Sequence, residues 1–405
     1  MDDLVLRGAA DVWGHGPGDV VVRGGEVVAI GPGVATGAGG RYDGPAGERV
    51  EVVDCTGRVV LPALVEGHAH LDKTLLGGPW VPHSAGDALA DRIGNERRRR
   101  GPLGLPDVDH VTTLLERMVV AGTGHVRSHT DVDPEVGLRG VEAVAEAAER
   151  LAGRVAVHQV AFPQHGLLSN PGTAELLDAA LAAGVEAVGG LDPAGGDRDP
   201  VGHLDVVFGL AERHGAGVDI HLHDGGSLGI WELELIAERT RATGLGERVT
   251  VSHAYALGQA DPVTQGRLAE LLAAAGVTIL TAAAYDFPVP PLKALRAAGV
   301  NVATGHDGIR DLWGPYGTGD MLDRAMHVAY RSTFRRDEDI ELALHAATYG
   351  GARALGLEGY GLVAGAPADL VVVEVGSAAE AVVTHPVRDL VVKAGRVVAR
   401  AGALA

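Results

Sequence analysis

A chain of 405 residues with a formal charge of −19 offers no basic surface for a nucleic-acid backbone. One cysteine, Cys55, excludes an intrachain disulfide framework, and no apolar run is long enough to span a membrane. The acidic start Met1-Asp2-Asp3-Leu4 lacks a secretory signal, so a reducing cytoplasm is the expected compartment.

The first residues read as β. Leu4–Gly8 is followed by Asp19–Arg23 and Glu26–Ile30, with Gly24-Gly25 between the last two as a hairpin signal. A surface loop rich in Gly and Ala is expected over 33–48, then a strand over Val50–Asp54. The far end has the same texture: Ala368–Val373 and Leu390–Val398 read as strands with another hairpin. Each β segment is short of a full sheet. Together, residues 1–58 and 361–405 are expected to form one small β-sandwich domain.

Between them, over 59–360, strand-like and helix-like runs alternate. Strands are expected at 59–65, 123–128, 154–162, 186–191, 217–222, 248–252, 277–281 and 299–304. Helices are expected at 107–120, 136–151, 173–183, 201–213, 228–243 and 263–275. This alternation predicts an α/β fold, a (β/α)8 TIM-type barrel. An open doubly wound sheet would suit a Gly-x-Gly-x-x-Gly turn after the first strand, and none is present. The basic run Arg97–Arg100 reads as a solvated helix face or a subunit contact.

In such a barrel the chemistry lies at the C-terminal ends of the strands, and polar residues gather there. The first strand leads into His68-Ala69-His70-Leu71-Asp72-Lys73, the second into Arg127-Ser128-His129-Thr130-Asp131, and the third into Phe162-Pro163-Gln164. The fifth ends in His221-Leu222-His223-Asp224, the sixth in Ser252-His253, the eighth in Gly305-His306-Asp307. Side chains two apart on a strand share a face, so each His-x-His pair can aim two imidazoles at one point. A single strand-end histidine is ordinarily structural. This recurrence points to a metal centre.

On His68–Thr74, Ala161–Gln164, Val251–His253, Gly305–Gly308 leading to Asp311-Leu312-Trp313, and Tyr316–Leu322, the sequence resembles the amidohydrolase superfamily and its cytosine deaminase-like branch. The resemblance covers nearly the whole chain. It implies a mononuclear metal held by His68, His70, His221 and Asp307, a catalytic role for His253, and substrate contacts from Gln164 and Trp313. Three imidazoles and a carboxylate suit zinc or ferrous iron and leave a position for water. A metal-bound hydroxide would attack an amidine-like ring carbon, with Asp307 taking the water proton and His253 hydrogen-bonding the oxygen.

The only lysines are Lys73, Lys293 and Lys393, so none can supply the mid-barrel carboxylated lysine that bridges two metals in other members of the superfamily. One divalent ion per chain is therefore expected. Lys73 is a candidate contact for a substrate oxygen or anion, or else an ion pair with Asp72 or another acid. Arg127, His129 and Asp131 either line the pocket or form a network beneath it. Asp192 and the glycine-rich segment up to Pro200 read as a mobile loop over the barrel mouth.

Two departures from the branch matter. Asp224 stands where the resembling deaminases carry a proton-shuttling glutamate, so either Asp224, favoured by position, or His223 carries that proton. Gly308 stands where they carry a second aspartate against the pyrimidine, which makes room for a larger ring. The expected activity is hydrolytic deamination of an aminated N-heterocycle: a pterin, triazine or modified pyrimidine. The alternatives are cytosine deaminase proper, a cyclic-amide hydrolase opening a ring C–N bond, and a non-catalytic scaffold, which the complete ligand set opposes. A homo-oligomer is compatible with the sequence, but no stripe identifies an interface.

Overall fold

The computed structural model describes residues 3–35, 50–86 and 89–405. The loop expected over 33–48 lies outside these from residue 36 onward. No helix among the described residues is long and apolar enough to cross a membrane.

Eight parallel strands, paired strictly in chain order, form the barrel: Leu64–Ala69, Thr123–Asp131, Ala156–Phe162, Ala187–Leu191, Gly217–His221, Val249–Ser252, Val277–Thr281 and Val302–Thr304. Several are buried along their whole length, as parallel strands covered on both faces must be. The ring nearly closes where the eighth strand returns to the first. There Asp307 forms a parallel bridge with Ala69 and donates its N–H to the His68 carbonyl at 2.8 Å.

The intervening helices turn an apolar stripe inward. In Arg139–Arg150 the buried residues Val141, Val144 and Ala147 recur at helical spacing. In Pro262–Ala275, Asp261 caps the first turn by accepting from the Val263 and Thr264 N–H groups, and Pro262 begins the helix. Such punctuation keeps the loops short and carries the chain back to the barrel floor.

Among the described residues, the chain ends build a separate sheet of nine strands. Leu4, Leu6, Val20 and Val22 from the N-terminal strands share one core with Leu370, Val372, Leu390 and Val392 from the C-terminal strands. Both expected hairpins form. Gly24 and Gly25 each have positive φ, as a two-residue turn of this kind requires, and a Cβ on Gly395 would meet the Gly25 Cα at 2.6 Å. The two hairpins therefore pack tip against tip.

The run expected as one barrel strand over 59–65 is in fact two strands. Val59–Pro62 joins the end sheet, antiparallel to Leu370–Val373 and parallel to Asp3–Val12. The Ala63 N–H goes to Asp369 of that sheet, and the next N–H, of Leu64, goes to Gly122 beside the barrel. Both sheets bury this segment, so apolarity alone could not reveal the crossing. The arginine run also divides. Arg97 and Arg98 are exposed, whereas Arg100 is buried and pairs with Asp133 and Glu135.

Candidate active site

Four side chains from three strand ends converge at the barrel mouth. His68 and His70 share a face at the end of the first strand, His221 ends the fifth, and Asp307 follows the eighth. The Asp307 Oδ1 lies 3.2 Å from His70 Nε2 and 3.6 Å from His68 Nε2, and the Nε2 atoms of His70 and His221 are 3.2 Å apart. The four donor atoms all fall within 4.8 Å of one another. His68 Nε2 is buried and has no hydrogen-bond partner. Burial holds the His70 imidazole down at about 4 and the His221 imidazole well below its usual range. Burial works against an ionised Asp307, but the His68 and His70 rings beside it outweigh that and hold its carboxyl well below the usual range. Neutral imidazoles beside one carboxylate, with an orphaned nitrogen at their centre, fit a divalent cation.

Partners behind these four side chains orient them. Ser252 donates its only hydroxyl proton to Asp219 Oδ1 at 2.8 Å. It therefore accepts from His68 Nδ1 at 2.9 Å, which leaves the His68 Nε2 lone pair facing the centre. Arg127 bonds the other Asp219 oxygen at 3.1 Å, and the His129 ring stacks on His68 with centroids 4.0 Å apart. Arg127 and His129 thus belong to a network beneath the site. Glu66, wholly buried, accepts from the His68 and His306 backbone N–H groups and from His306 Nδ1 at 2.5 Å. A Cβ on Gly305 would meet Glu66 Oε1 and the His68 nitrogen at 2.4 Å, so only glycine fits there. Asp307 and His253 have φ of 67° and 71°, backbone strain concentrated at the site.

A cavity of about 650 Å³ opens onto these ligands. Its lining includes the polar group Lys73, Gln164, Asp311 and Trp313, and the side chains of Tyr255, Ala283, Ala284, Tyr285 and Phe287, with Arg331 bonded to the Ala284 and Phe287 carbonyls. The Lys73 Nζ lies 2.9 Å from Asp131 and 3.6 Å from Glu96, and donates to Gln164 Oε1 at 2.5 Å. Burial disfavours the ammonium, yet Asp131, Glu96 and Asp72 raise its pKa above the usual lysine range. Lys73 is thus ion-paired with neighbouring acids and also fixes Gln164, leaving the Gln164 NH2 as its free group. Trp313 Nε1 donates to Glu96 at 2.5 Å, and Lys73 lies 5.7 Å from the Trp313 ring centre.

At the fifth strand the structure separates His223 from Asp224. The ring of His223 lines the cavity, stacked on His253 with centroids 4.5 Å apart, and its Nδ1 is held by Asp192 at 3.0 Å. Asp224, favoured by sequence position, does not line the cavity. The chain leaves the strand at His221, so the next side chains no longer alternate, and Asp224 accepts from the Gly195 N–H at 2.7 Å beside Glu232. The Asp192–Pro200 segment is pinned. Asp192 is buried, and Asp197 accepts from the Leu168 and Ser169 N–H groups and bonds His203. His253 presents a buried Nε2 with no protein partner, and burial keeps its ring neutral.

Sequence reading missed Glu66, Asp219, Glu96 and the structural role of Asp192. Glu66 and Asp219 were within reach, because each lies two residues before a candidate ligand histidine on the same strand.

An amidohydrolase family model matches residues 108–399. The chain belongs to the amidohydrolase family. It is 32% identical to the N-isopropylammelide isopropyl amidohydrolase of Pseudomonas sp. (strain ADP), over 86% of this chain and 88% of that one. Its fold is similar to the crystal structure of N-isopropylammelide isopropylaminohydrolase from Burkholderia multivorans, at TM-score 0.93 and 44% identity over all of both chains. It is also similar to 5-methylcytosine deaminase from Klebsiella pneumoniae, at TM-score 0.81 and 27% identity over 98% of this chain and 97% of that one.

Proposed function

We propose that this amidohydrolase holds one divalent ion per chain, zinc or ferrous iron, and hydrolyses an exocyclic C–N bond of an aminated N-heterocycle. The ring is an alkylamino- or amino-substituted triazine or pyrimidine, and ammonia or an alkylamine leaves. The observation that carries this reading is the cavity itself. It opens onto His70, His221 and Asp307 of the His3Asp group and is lined both by polar groups suited to a ring edge and by apolar side chains suited to an alkyl group. The likeness to two N-isopropylammelide hydrolases supports it.

His68, His70, His221 and Asp307 would hold the ion, which supplies the charge that acidifies water towards neutral pH. The remaining work falls to the chain's own groups. Trp313 gives the planar ring a flat wall, and the Gln164 NH2 donates to a ring oxygen. Asp307, held ionised, accepts the proton of the attacking water. His253, neutral and with Nε2 free, hydrogen-bonds the incoming oxygen. His223, oriented through Nδ1 by Asp192, carries a proton to the departing nitrogen as the exocyclic C–N bond breaks.

The test is release of amine or ammonia from alkylaminotriazines, aminopyrimidines and pterins by the zinc-loaded and iron-loaded protein. Amine release from an alkylaminotriazine is the expected result. Ring opening without amine release, or efficient turnover of plain cytosine with triazines inert, would overturn the reading.

A further inference from the structure

Helix Met321–Arg331 sends two arginines to the cavity, and they are used differently. Arg331 is engaged on both terminal nitrogens. Its Nη1 donates to the Ala283 and Ala284 carbonyls at 3.4 and 3.3 Å, and its Nη2 to the Phe287 carbonyl at 2.8 Å. Arg324 is 8% exposed and makes one hydrogen bond among the described residues, from Nη1 to the Ala282 carbonyl at 2.6 Å. Its Nε is enclosed without a partner. Its Nη2 makes no hydrogen bond either, yet is not among the enclosed atoms, which leaves it to face the cavity.

No carboxylate of the described residues pairs with this guanidinium. The adjacent acid, Asp323, is taken by His327 at 3.5 Å and by Thr318 at 3.3 Å. Burial lowers the Arg324 pKa, and the more distant Glu66, Asp323 and Asp307 do not restore it. A buried charge is costly unless something pairs with it. The rest of the lining points the same way. Its charged side chains are Lys73, Arg92, Arg324 and Arg331 against Asp307 and Asp311, in a chain whose formal charge is −19. Lys73 is already paired with Asp131 and Glu96. Arg92 is half-buried and has no ion pair among the described residues. It acts electrostatically on Tyr285, as Tyr285 does on Arg324, so both unpaired cations lie within reach of one ring.

We infer that Arg324 and Arg92 form an oxyanion subsite beside Tyr285, filled by a carboxylate on the substrate's alkyl arm or by a free anion bound next to a neutral arm. This rests on the proposed reading of the cavity as a heterocycle site, and it adds a charge to what that site holds.

Equilibrium binding to the zinc-loaded protein tests this without turnover, using a triazine with a carboxymethylamino arm and its neutral carboxamide counterpart. Wild type should bind the carboxylate about 10- to 100-fold more tightly than the carboxamide. Arg324→Gln, which keeps a donor for the Ala282 carbonyl, should erase that preference while carboxamide affinity, zinc content and thermal midpoint stay close to wild type. Arg92→Gln should reduce the preference by about 2- to 5-fold, and less at high salt. Carboxamide binding that tightens in acetate relative to chloride, and no longer does so in Arg324→Gln, would assign the subsite to a free anion. Equal affinities in wild type without an acetate effect would overturn the inference. So would a preference that survives in Arg324→Gln, since the metal would then hold the carboxylate, or an equal loss of both triazines in that variant, which would make Arg324 a support for Ala282 alone. Failure of both triazines to bind wild type would instead remove the heterocycle reading, and this inference with it.

Discussion

The sheet made by the chain ends and the mouth of the barrel use buried polar groups in opposite ways. In the sheet, Asp19 accepts from the Gly8 and Ala35 N–H groups, and Asp369 bonds Lys393, His125 and the Ala394 N–H. Those acids stitch backbone and junction together around a core of Leu and Val. At the mouth, the buried Nε2 atoms of His68, His253 and His306 are left without partners, and Asp192, His253 and Asp307 adopt positive φ. The sheet places its polar groups for stability, whereas the mouth holds strained and unpaired ones ready for a ligand. Substitutions in the two regions should therefore fail in different currencies.

The largest effect belongs to a ligand. His68→Ala should lose bound metal and reduce turnover by roughly three orders of magnitude or more, while its thermal midpoint without metal stays near that of the stripped wild type. Metal analysis and thermal scanning check this, and retained metal would erase the contrast between the regions. Next comes the proton path. His223→Gln should cut kcat by about 10²- to 10⁴-fold with metal retained, and Asp224→Asn far less. The reverse ranking would return the shuttle to Asp224.

Ser252→Ala removes the link between Asp219 and His68, so chelator competition should find metal affinity lower by about 10- to 100-fold. In the sheet, Leu6→Ala should cost about 2–5 kcal/mol of stability and leave kcat unchanged in the protein that remains folded. Denaturant titration beside an activity assay separates the two.

The smallest expected effect is a pH slope. Burial, with Asp224 adding to it, raises the Glu232 carboxyl from 4.5 to about 8 despite the opposing Ala194 N–H. The unfolded chain releases this proton near 4.5 and the folded chain near 8, so between these values the folded state binds more protons and stability falls as pH rises. Glu232→Gln should flatten the decline in thermal midpoint across that window. An unchanged slope would mean that this acid ionises normally in the fold.

Much of this was legible in the sequence, for physical reasons. The strands from Thr123 to Thr304 announced themselves as apolar runs between helical stretches, and His68 and His70 were picked out by strand alternation. The crossing at Ala63 was not, because both sheets bury it equally. The surroundings of Lys73 were also hidden. Glu96 comes from a helix and Asp131 from another strand end, contacts that only the closed barrel creates. The choice between His223 and Asp224 escaped because alternation stops where the strand does.

The central claim is that His68, His70, His221 and Asp307 form a single-ion hydrolytic centre. Zinc titration of chelator-stripped protein, following amine release from an alkylaminotriazine, tests it most directly. Activity should rise linearly and break sharply at one zinc per chain, with no rise in Asp307→Ala. A break at two, or full activity in the stripped protein, would contradict the account.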